Sequence, residues 1–202
     1  MRLVCSLLVA LGAGGACNRV EEPSSPAPEP VQTPTATTSP APVVPRPTPT
    51  RCLAEQPAEA PPPAAPAATC PKDPTGPLTL PRGSVIFPAA PGQPKLEIEI
   101  AGDDAARTRG LMYRTSMPQD HGMIFSWGEE SVRSFWMKNT CLPLDMLFIA
   151  ADGTIVGILE QVPTLNLAAR TVRCPAAHVL EVNAGWTRGH GIAVGSKAVI
   201  QG

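Results

Sequence analysis

Residues 134–145 concentrate the side chains that could do chemistry in this chain. The stretch reads S-F-W-M-K-N-T-C-L-P-L-D, and it places Lys138, Asn139 and Thr140 between an aromatic segment and a Pro-Leu-Asp corner. The apolar run M-L-F-I that follows at 146–149 is typical of a buried strand. A polar cluster held on such a rigid frame is where we expect function to lie.

The polar residues embedded in apolar runs have two interpretations. A buried charge needs a partner, so the first is an internal salt-bridge network that stabilises the fold. The second is a concave pocket that binds a small polar ligand, a sugar or a peptide. The candidate residues are Arg109, Arg114, Lys138, Asn139, Thr140, Asp145 and Glu181.

The residues on either side of two tryptophans predict whether each ring is exposed or buried. Trp186 follows A-G and precedes T-R, which predicts an exposed ring and makes it a further candidate ligand contact. Trp136 lies between Phe135 and Met137, which is more typical of a core position.

Asp145 and Glu181 could act as an acid/base pair in an envelope hydrolase or carbohydrate-active enzyme. The chain shows no nucleophile elbow, His dyad or metal-ligand spacing. We therefore predict no catalytic residue, no cofactor and no metal site, and we favour a non-enzymatic, ligand- or partner-binding domain over the hydrolase.

Periplasmic copper binding is a second alternative, because methionine and histidine are ligands for copper. Most of these methionines lie in strongly apolar runs, where methionine usually fills gaps in the core. Core packing is therefore the preferred interpretation. The residues are Met112, Met117, Met123, Met137, Met146, His121, His178 and His190.

Four cysteines follow the N-terminal region. We predict a disulfide between Cys141 and Cys174, which would close a loop of roughly 34 residues. Cys52 and Cys70 are close enough in sequence to pair with each other, although the sequence does not decide their partners.

Proline sets the predicted domain boundary, because it is concentrated before residue 95. Residues 18–82 are rich in Pro, Ala and Thr and are predicted to be a disordered linker, and residues 83–202 a single domain. The net charge is −1 and no basic stripe is visible, so we expect no nucleic-acid partner.

Residues 1–17 resemble a bacterial lipoprotein signal peptide. An Arg, an apolar run and small residues lead to Cys17, the predicted site of lipidation. The resemblance implies an exported protein whose lipid anchor attaches it to the periplasmic face of an envelope membrane, the outer membrane in preference to the inner.

Short alternating or apolar segments in residues 83–202 predict six to eight strands and one short helix, arranged as an all-β sandwich or barrel. The motifs R-G-L-M-Y-R (109–114), G-M-I-F (122–125), F-W-M-K-N-T (135–140), P-L-D (143–145) and V-L-E-V-N-A-G (179–185) resemble domain-of-unknown-function family 192, also called uncharacterised protein family UPF 0127. The resemblance covers about residues 84–200. It implies a compact jelly-roll-like β-domain that is often exported, and it implies no activity and no catalytic residues.

Overall fold

Nine strands and two short helices build the domain in the computed structural model, which describes residues 50–202. The prediction of a mainly β domain is confirmed, with one strand and one short helix more than the six to eight strands and one helix expected. The strands are β1 (Arg82–Ile86), β2 (Lys95–Ala101), β3 (His121–Ser131), β4 (Ser134–Phe135), β5 (Leu144–Ile149), β6 (Ile155–Val162), β7 (Arg170–Thr171), β8 (Ala176–Asn183) and β9 (Val199–Gln201). The helices are α1 (Asp104–Arg109) and α2 (Trp186–Gly189).

Seven of the strands form one sheet in the order β6-β5-β8-β3-β2-β1-β9, and β4 pairs with β7 in a small second sheet. All pairings are antiparallel except β2 with β3. The two ends of the large sheet meet, because Thr154, next to β6, bridges Lys197, next to β9. Ile155 N also donates to Ser196 O at 2.9 Å. The large sheet therefore closes into a barrel, which protects its edge strands.

Both faces of the barrel sheet carry core residues. Leu147 and Ile149 of β5 point into the barrel interior, and Met146 and Phe148 point to the outer face. All six residues of β5 are buried, because the outer face is covered as well. This explains why β5 reads as a continuous apolar run rather than as an alternating one.

The outer face is covered partly by α1, which belongs to the crossover between the parallel strands β2 and β3. Such a connection cannot be a tight turn, and a helix is its usual form. The Asp103 carboxylate accepts a hydrogen bond from Ala106 N at 2.8 Å and so caps the start of α1. Within residues 50–202 no helix is long and apolar enough to span a membrane.

The predicted linker boundary is wrong for residues 50–81, which we call the arm. The arm belongs to the same compact unit as the barrel. Ala54 N donates to Val156 O at 2.7 Å, and Ala67 N donates to Cys141 O at 3.0 Å. A proline-rich segment has no core of its own, but hydrogen bonds and cross-links to the barrel hold this one in place. Residues 1–49, with the predicted signal peptide, Cys17 and the rest of the linker, lie outside the described residues.

Two disulfides attach the arm, and neither is the one predicted. Cys52 pairs with Cys174, and Cys70 pairs with Cys141, at sequence separations of 122 and 71. The predicted Cys141–Cys174 bond is therefore wrong, and so is the suggested Cys52–Cys70 pair. Each barrel cysteine takes a partner from the arm because the arm lies across both sites, a placement that cysteine spacing does not reveal.

Candidate functional site

A pocket of about 120 Å³ opens on the outer face of the barrel, between the end of α1 and β4. Its walls combine aromatic rings, α1 side chains and hydroxyl groups, and one carboxyl group lies among them. The lining residues on which function could depend are Arg109, Phe125, Trp127, Phe135, Thr140 and Glu181.

The carboxyl group belongs to Glu181, in the middle of the barrel sheet. Strand β8 lies between β3 and β5, and Glu181 is paired with Met123 on one side and Met146 on the other. Both methionines are fully buried in the outer core, and Glu181 itself is only 4% exposed. Within residues 50–202 no hydrogen bond or ion pair reaches its carboxyl group. Burial without a partner raises the pKa of Glu181 to about 8.

Helix α1 supplies one wall and ends at Gly110, whose φ is +47°. A side chain at this position would be strained, and its Cβ would lie 3.0 Å from the ring of Phe125. The absence of a side chain at Gly110 therefore lets the end of α1 lie directly against the ring of Phe125. Arg107 and Arg109 are presented at the pocket by this helix.

The guanidinium groups of both arginines have partners other than Glu181. Arg107 donates to the Ser126 carbonyl at 2.8 Å and pairs with Asp104 at 2.6 Å. Arg109 pairs with Asp73 of the arm and donates to Thr75 Oγ1 at 2.7 Å. Neither arginine neutralises Glu181.

Aromatic rings form much of the remaining wall. Phe125 and Phe135 meet edge to face with their centroids 5.0 Å apart, and Trp127 meets Phe135 in the same way at 6.2 Å. Trp127 also carries guanidinium groups over its ring, Arg107 at 5.4 Å and Arg133 at 4.2 Å from the centroid. The Trp127 ring in the pocket wall therefore already contacts two cationic side chains of the same chain.

The three polar residues after β4, Lys138, Asn139 and Thr140, make different contacts. Thr140 is buried and faces the pocket, and its hydroxyl donates to the Lys138 carbonyl at 3.2 Å. Asn139 adopts φ +54° in the turn, and its side-chain amide donates to the Tyr113 hydroxyl at 2.8 Å. Lys138 is exposed, with its Nζ 5.1 Å from the ring centroid of Trp136. Of the three, only Thr140 lines the Glu181 pocket.

Arg114 lies beside a different cavity and pairs with Glu99 of β2. That cavity also includes Arg109 and Asp73, so Arg109 separates it from the Glu181 pocket. Arg109, Thr140 and Glu181 thus line one pocket, as the pocket interpretation requires. The ion-pair interpretation describes Arg114, and it also describes the guanidinium of Arg109.

Asp145 and Glu181 do not share a cleft, so the predicted acid/base pair is wrong. In the register of β5 with β8, Asp145 is opposite Val182, while Met146 is opposite Glu181. Neighbouring residues of a strand point to opposite faces, so the two carboxyl groups lie on opposite sides of the sheet. A hydrolase that uses this pair cannot be built on this barrel.

The Asp145 carboxylate has a structural role at one end of the barrel interior. It is fully buried and accepts backbone hydrogen bonds from Gln161 at 3.0 Å, Gly185 at 3.0 Å and Thr187 at 3.1 Å. These donors come from β6 and from the start of α2. Asp145 therefore satisfies N–H groups that would otherwise be buried without partners.

The predicted exposures of two tryptophans are reversed. Trp186 is 6% exposed, belongs to the interior core and stacks on His190 at 4.2 Å between ring centroids. It is therefore not a ligand contact. Trp136 is 47% exposed at the mouth of the pocket. The short strand β4 causes this, because Phe135 packs inward and the next residue points away from the core.

Three of the five methionines are placed as the core interpretation predicted, whereas Met112 and Met117 are partly buried. Met123, Met137 and Met146 are fully buried in the outer core cluster. Among the described residues, no group of three His, Cys, Asp or Glu side chains is arranged to hold a metal ion.

Sequence reasoning missed the aromatic wall. Phe125 and Trp127 are two residues apart on β3, on the same face as Met123, and Met123 is the register partner of Glu181. The period-2 alternation in M-I-F-S-W could have placed both rings beside Glu181. The contribution of Phe135 and Trp136 could not be found in this way, because β4 is not part of the barrel sheet.

Fold and site together define a class of protein: a disulfide-linked β-barrel domain with an aromatic pocket whose buried acid, Glu181, has no partner within residues 50–202. The chain belongs to the family DUF192, described as uncharacterized ACR, COG1430, whose model matches residues 87–200. This confirms the resemblance found in the sequence motifs. The two disulfides indicate an oxidising compartment outside the cytosol.

Solved structures of two bacterial proteins are similar to this one. A Sinorhizobium meliloti 1021 protein, described as a proposed transcription regulator, is 41% identical with a TM-score of 0.58, covering 62% of this chain and 98% of that chain. A protein of unknown function from Novosphingobium aromaticivorans DSM 12444 is 28% identical with a TM-score of 0.57, covering 66% of this chain and 94% of that chain. No curated protein shows significant similarity to this chain.

Proposed function

We propose that this chain is an exported, lipid-anchored envelope protein whose β-barrel binds a small ligand in the pocket over Glu181, without catalysing a reaction. One observation carries the proposal: a carboxyl group that is 4% exposed faces a pocket and has no partner within residues 50–202. Because the carboxyl group lines the pocket, a ligand there can form the hydrogen bonds that the described residues do not supply.

Binding is favoured over catalysis because Glu181 has no second free titratable group beside it in the pocket. The titratable groups that line its pocket are Glu181, Arg107 and Arg109, and both guanidinium groups are engaged with acids and backbone carbonyls. A single acid can hold a ligand group in place. General acid/base catalysis by a pair would need a second titrating group within reach of the same substrate.

The proposed location rests on the segment before Cys17 that resembles a lipoprotein signal peptide and on the two cross-links. Cys17 is the proposed lipidation site, and residues 18–49 would form the tether between the lipid and the arm. Anchoring in the outer membrane facing the periplasm is the preferred arrangement. The regulator description of the Sinorhizobium meliloti protein is not carried over, because a net charge of −1 does not favour DNA binding.

The anchor is tested by expressing the chain with Cys17→Ser in a Gram-negative host. We expect the unchanged chain to fractionate with membranes and to carry a diacylglyceryl group on Cys17, detected by mass spectrometry of the N-terminal peptide. The variant should lose the lipid and leave the membrane fraction. An unmodified Cys17 in the membrane fraction, or a variant that stays there, would contradict the anchor.

Ligand binding is tested by thermal unfolding of the oxidised chain carrying Cys17→Ser, in the presence of small amines, carboxylic acids, sugars and peptidoglycan fragments. A ligand present at 100 times its Kd stabilises the folded state by about 2.7 kcal/mol, which for a domain of this size raises Tm by roughly 5–10 °C. We expect at least one of these chemical classes to produce such a shift.

The variants Glu181→Gln and Trp136→Ala should reduce that shift, each compared with its own ligand-free Tm. The matched control is Glu55→Gln, because Glu55 is an exposed acid of the arm outside the pocket, and it should keep the full shift. The proposal fails if no class shifts Tm, or if the shift is the same in all three variants.

A further inference from the structure

We propose that the ligand of the Glu181 pocket is a primary ammonium group on a short apolar stem, an inference that rests on the proposed function. The stem would lie against the aromatic wall, and the ammonium group would donate hydrogen bonds to the Glu181 carboxylate. A free small amine and the side chain of a lysine share this chemistry.

The charges around the pocket leave one group uncompensated. Arg107 pairs with Asp104, and Arg109 pairs with Asp73 of the arm. Of the charged groups that line the pocket, Glu181 is the one with no partner among the described residues. A cationic ligand would therefore neutralise the Glu181 carboxylate. An anionic ligand would instead place a second negative charge beside Glu181 once Glu181 ionises.

Two cations at the edge of the site also have their own partners. Arg133 lies over Trp127, and its guanidinium donates to the carbonyls of Ala176 and Glu129. Lys138 lies over Trp136 at the pocket mouth. The charged groups presented to the pocket by α1 and by the segments around β4 therefore do not reach Glu181, and its carboxyl group stays available.

The aromatic wall favours the same ligand class. Phe125, Trp127 and Phe135 pack edge to face, which turns the electron-rich face of at least one ring toward a neighbouring group. Ring faces attract cations, and Arg107 and Arg133 already occupy such positions over Trp127. A sugar would find fewer partners, because Glu181 and Thr140 are the main buried polar groups in the lining.

The volume of the pocket limits the stem. About 120 Å³ is slightly less than the ~150 Å³ of an engineered cavity that holds benzene. A ligand segment of roughly five non-hydrogen atoms fits, which is the size of n-butylammonium or of the end of a lysine side chain. Larger ligands would extend through the mouth beside Trp136.

Proton release distinguishes this ligand class from others. Because burial raises the pKa of Glu181 to about 8, the group is mostly protonated at pH 7, and binding an ammonium ion displaces that proton. The apparent affinity should therefore rise about 50-fold between pH 6 and pH 8, since the carboxylate fraction rises by that factor. A neutral hydrogen-bond acceptor, which needs the protonated acid, should instead bind more tightly as the pH falls.

The experiment is isothermal titration calorimetry on the oxidised chain carrying Cys17→Ser. The probes are n-butylammonium, the blocked lysine Nα-acetyl-lysine methylamide, butanol and butyrate. Titrations at pH 6, 7 and 8, each in two buffers of different ionisation enthalpy, measure affinity and proton release. We expect the two amines to bind, to release close to one proton at pH 7, and to gain affinity with rising pH. A preference for butylammonium indicates a free amine, and a preference for the blocked lysine indicates a peptide side chain.

Glu181→Gln should weaken amine binding at least 10-fold at pH 8, and Glu55→Gln should leave it unchanged. Tighter binding of butanol or butyrate, affinity that rises as the pH falls, or equal amine affinity in Glu181→Gln would overturn the inference while leaving the binding function in place. Failure of every probe here, together with no ligand-induced shift in the melting experiment, would overturn both.

Discussion

Replacing Glu181 with Gln is expected to make the protein more stable than the unchanged chain at pH 9, by on the order of 3–5 kcal/mol. Burial raises the pKa of Glu181 from 4.5 in the unfolded chain to about 8 in the folded protein. Each unit of difference corresponds to about 1.4 kcal/mol. Gln fills nearly the same space and carries no charge, so it avoids the cost of burying an ionised group.

The sign of the effect follows from proton binding. Between pH 4.5 and pH 8 the folded state holds a proton on Glu181 that the unfolded state has lost. The free energy of unfolding of the unchanged chain therefore falls as the pH rises through this window, and the fall is complete above pH 8. Below pH 4.5 both states are protonated, so this group no longer separates the two proteins.

Urea unfolding of both proteins at pH 4.5, 6, 7.5 and 9 measures the difference directly. Other titrating groups affect both proteins equally and cancel. Asp152 is one of these, because the Thr154 backbone N–H lowers its pKa and its contribution is lost only in strong acid. Glu55→Gln is the control and should follow the unchanged chain at every pH. Parallel curves for Glu181→Gln and the unchanged chain would show that Glu181 is not buried in the protonated form.

Removing the Cys52–Cys174 disulfide by the double substitution Cys52→Ser and Cys174→Ser is expected to lower the free energy of unfolding by about 4 kcal/mol. The bond joins residues 122 apart, and closing so long a loop removes much entropy from the unfolded chain. The barrel itself should persist, because all of its strands and all the buried residues of both core clusters lie outside the arm. The free energy of unfolding from urea titration is the measurement.

The Cys70→Ser and Cys141→Ser pair provides the matched comparison, because it releases a different part of the arm. Limited proteolysis should cut near residue 52 when the first disulfide is absent, and near residue 70 when the second is absent. Peptide mapping of the unchanged chain should recover the 52–174 and 70–141 cross-links. A 141–174 cross-link, or an unchanged free energy of unfolding in the first variant, would contradict the arrangement described here.

Much of the barrel could be predicted because its signals are local. The D-G pair at 152–153 lies between apolar runs, and it forms the turn between β5 and β6, with Thr154 N donating to the Asp152 carboxylate at 2.9 Å. The alternation in residues 95–101 predicts a half-buried strand, and β2 occupies those residues. The apolar residues in 132–137 predict a strand over that whole range, but β4 covers only Ser134–Phe135, because the chain leaves the strand there and Met137 N donates to Asn166 O at 2.8 Å.

The site was only partly predictable, because register rather than composition decides it. Asp145 and Glu181 look alike in sequence, each a single acid in an apolar strand. A shift of one residue in strand pairing moves a side chain to the other face of the sheet, so the acid that meets a pocket cannot be identified before the register is known. The register assigns Asp145 to three backbone donors and Glu181 to the pocket.

By itself, the amino-acid sequence determined the β class, the family and the preference for an oxidising compartment. Periodicity, motif order and cysteine content can all be read along the chain without knowledge of tertiary contacts. Only the tertiary structure decided which cysteines pair, that residues 50–81 lie on the barrel, that Trp136 is exposed while Trp186 is buried, and that Glu181 faces a pocket alone. These features depend on contacts between residues far apart in the chain. Such contacts form only when the sheet closes and the arm crosses it.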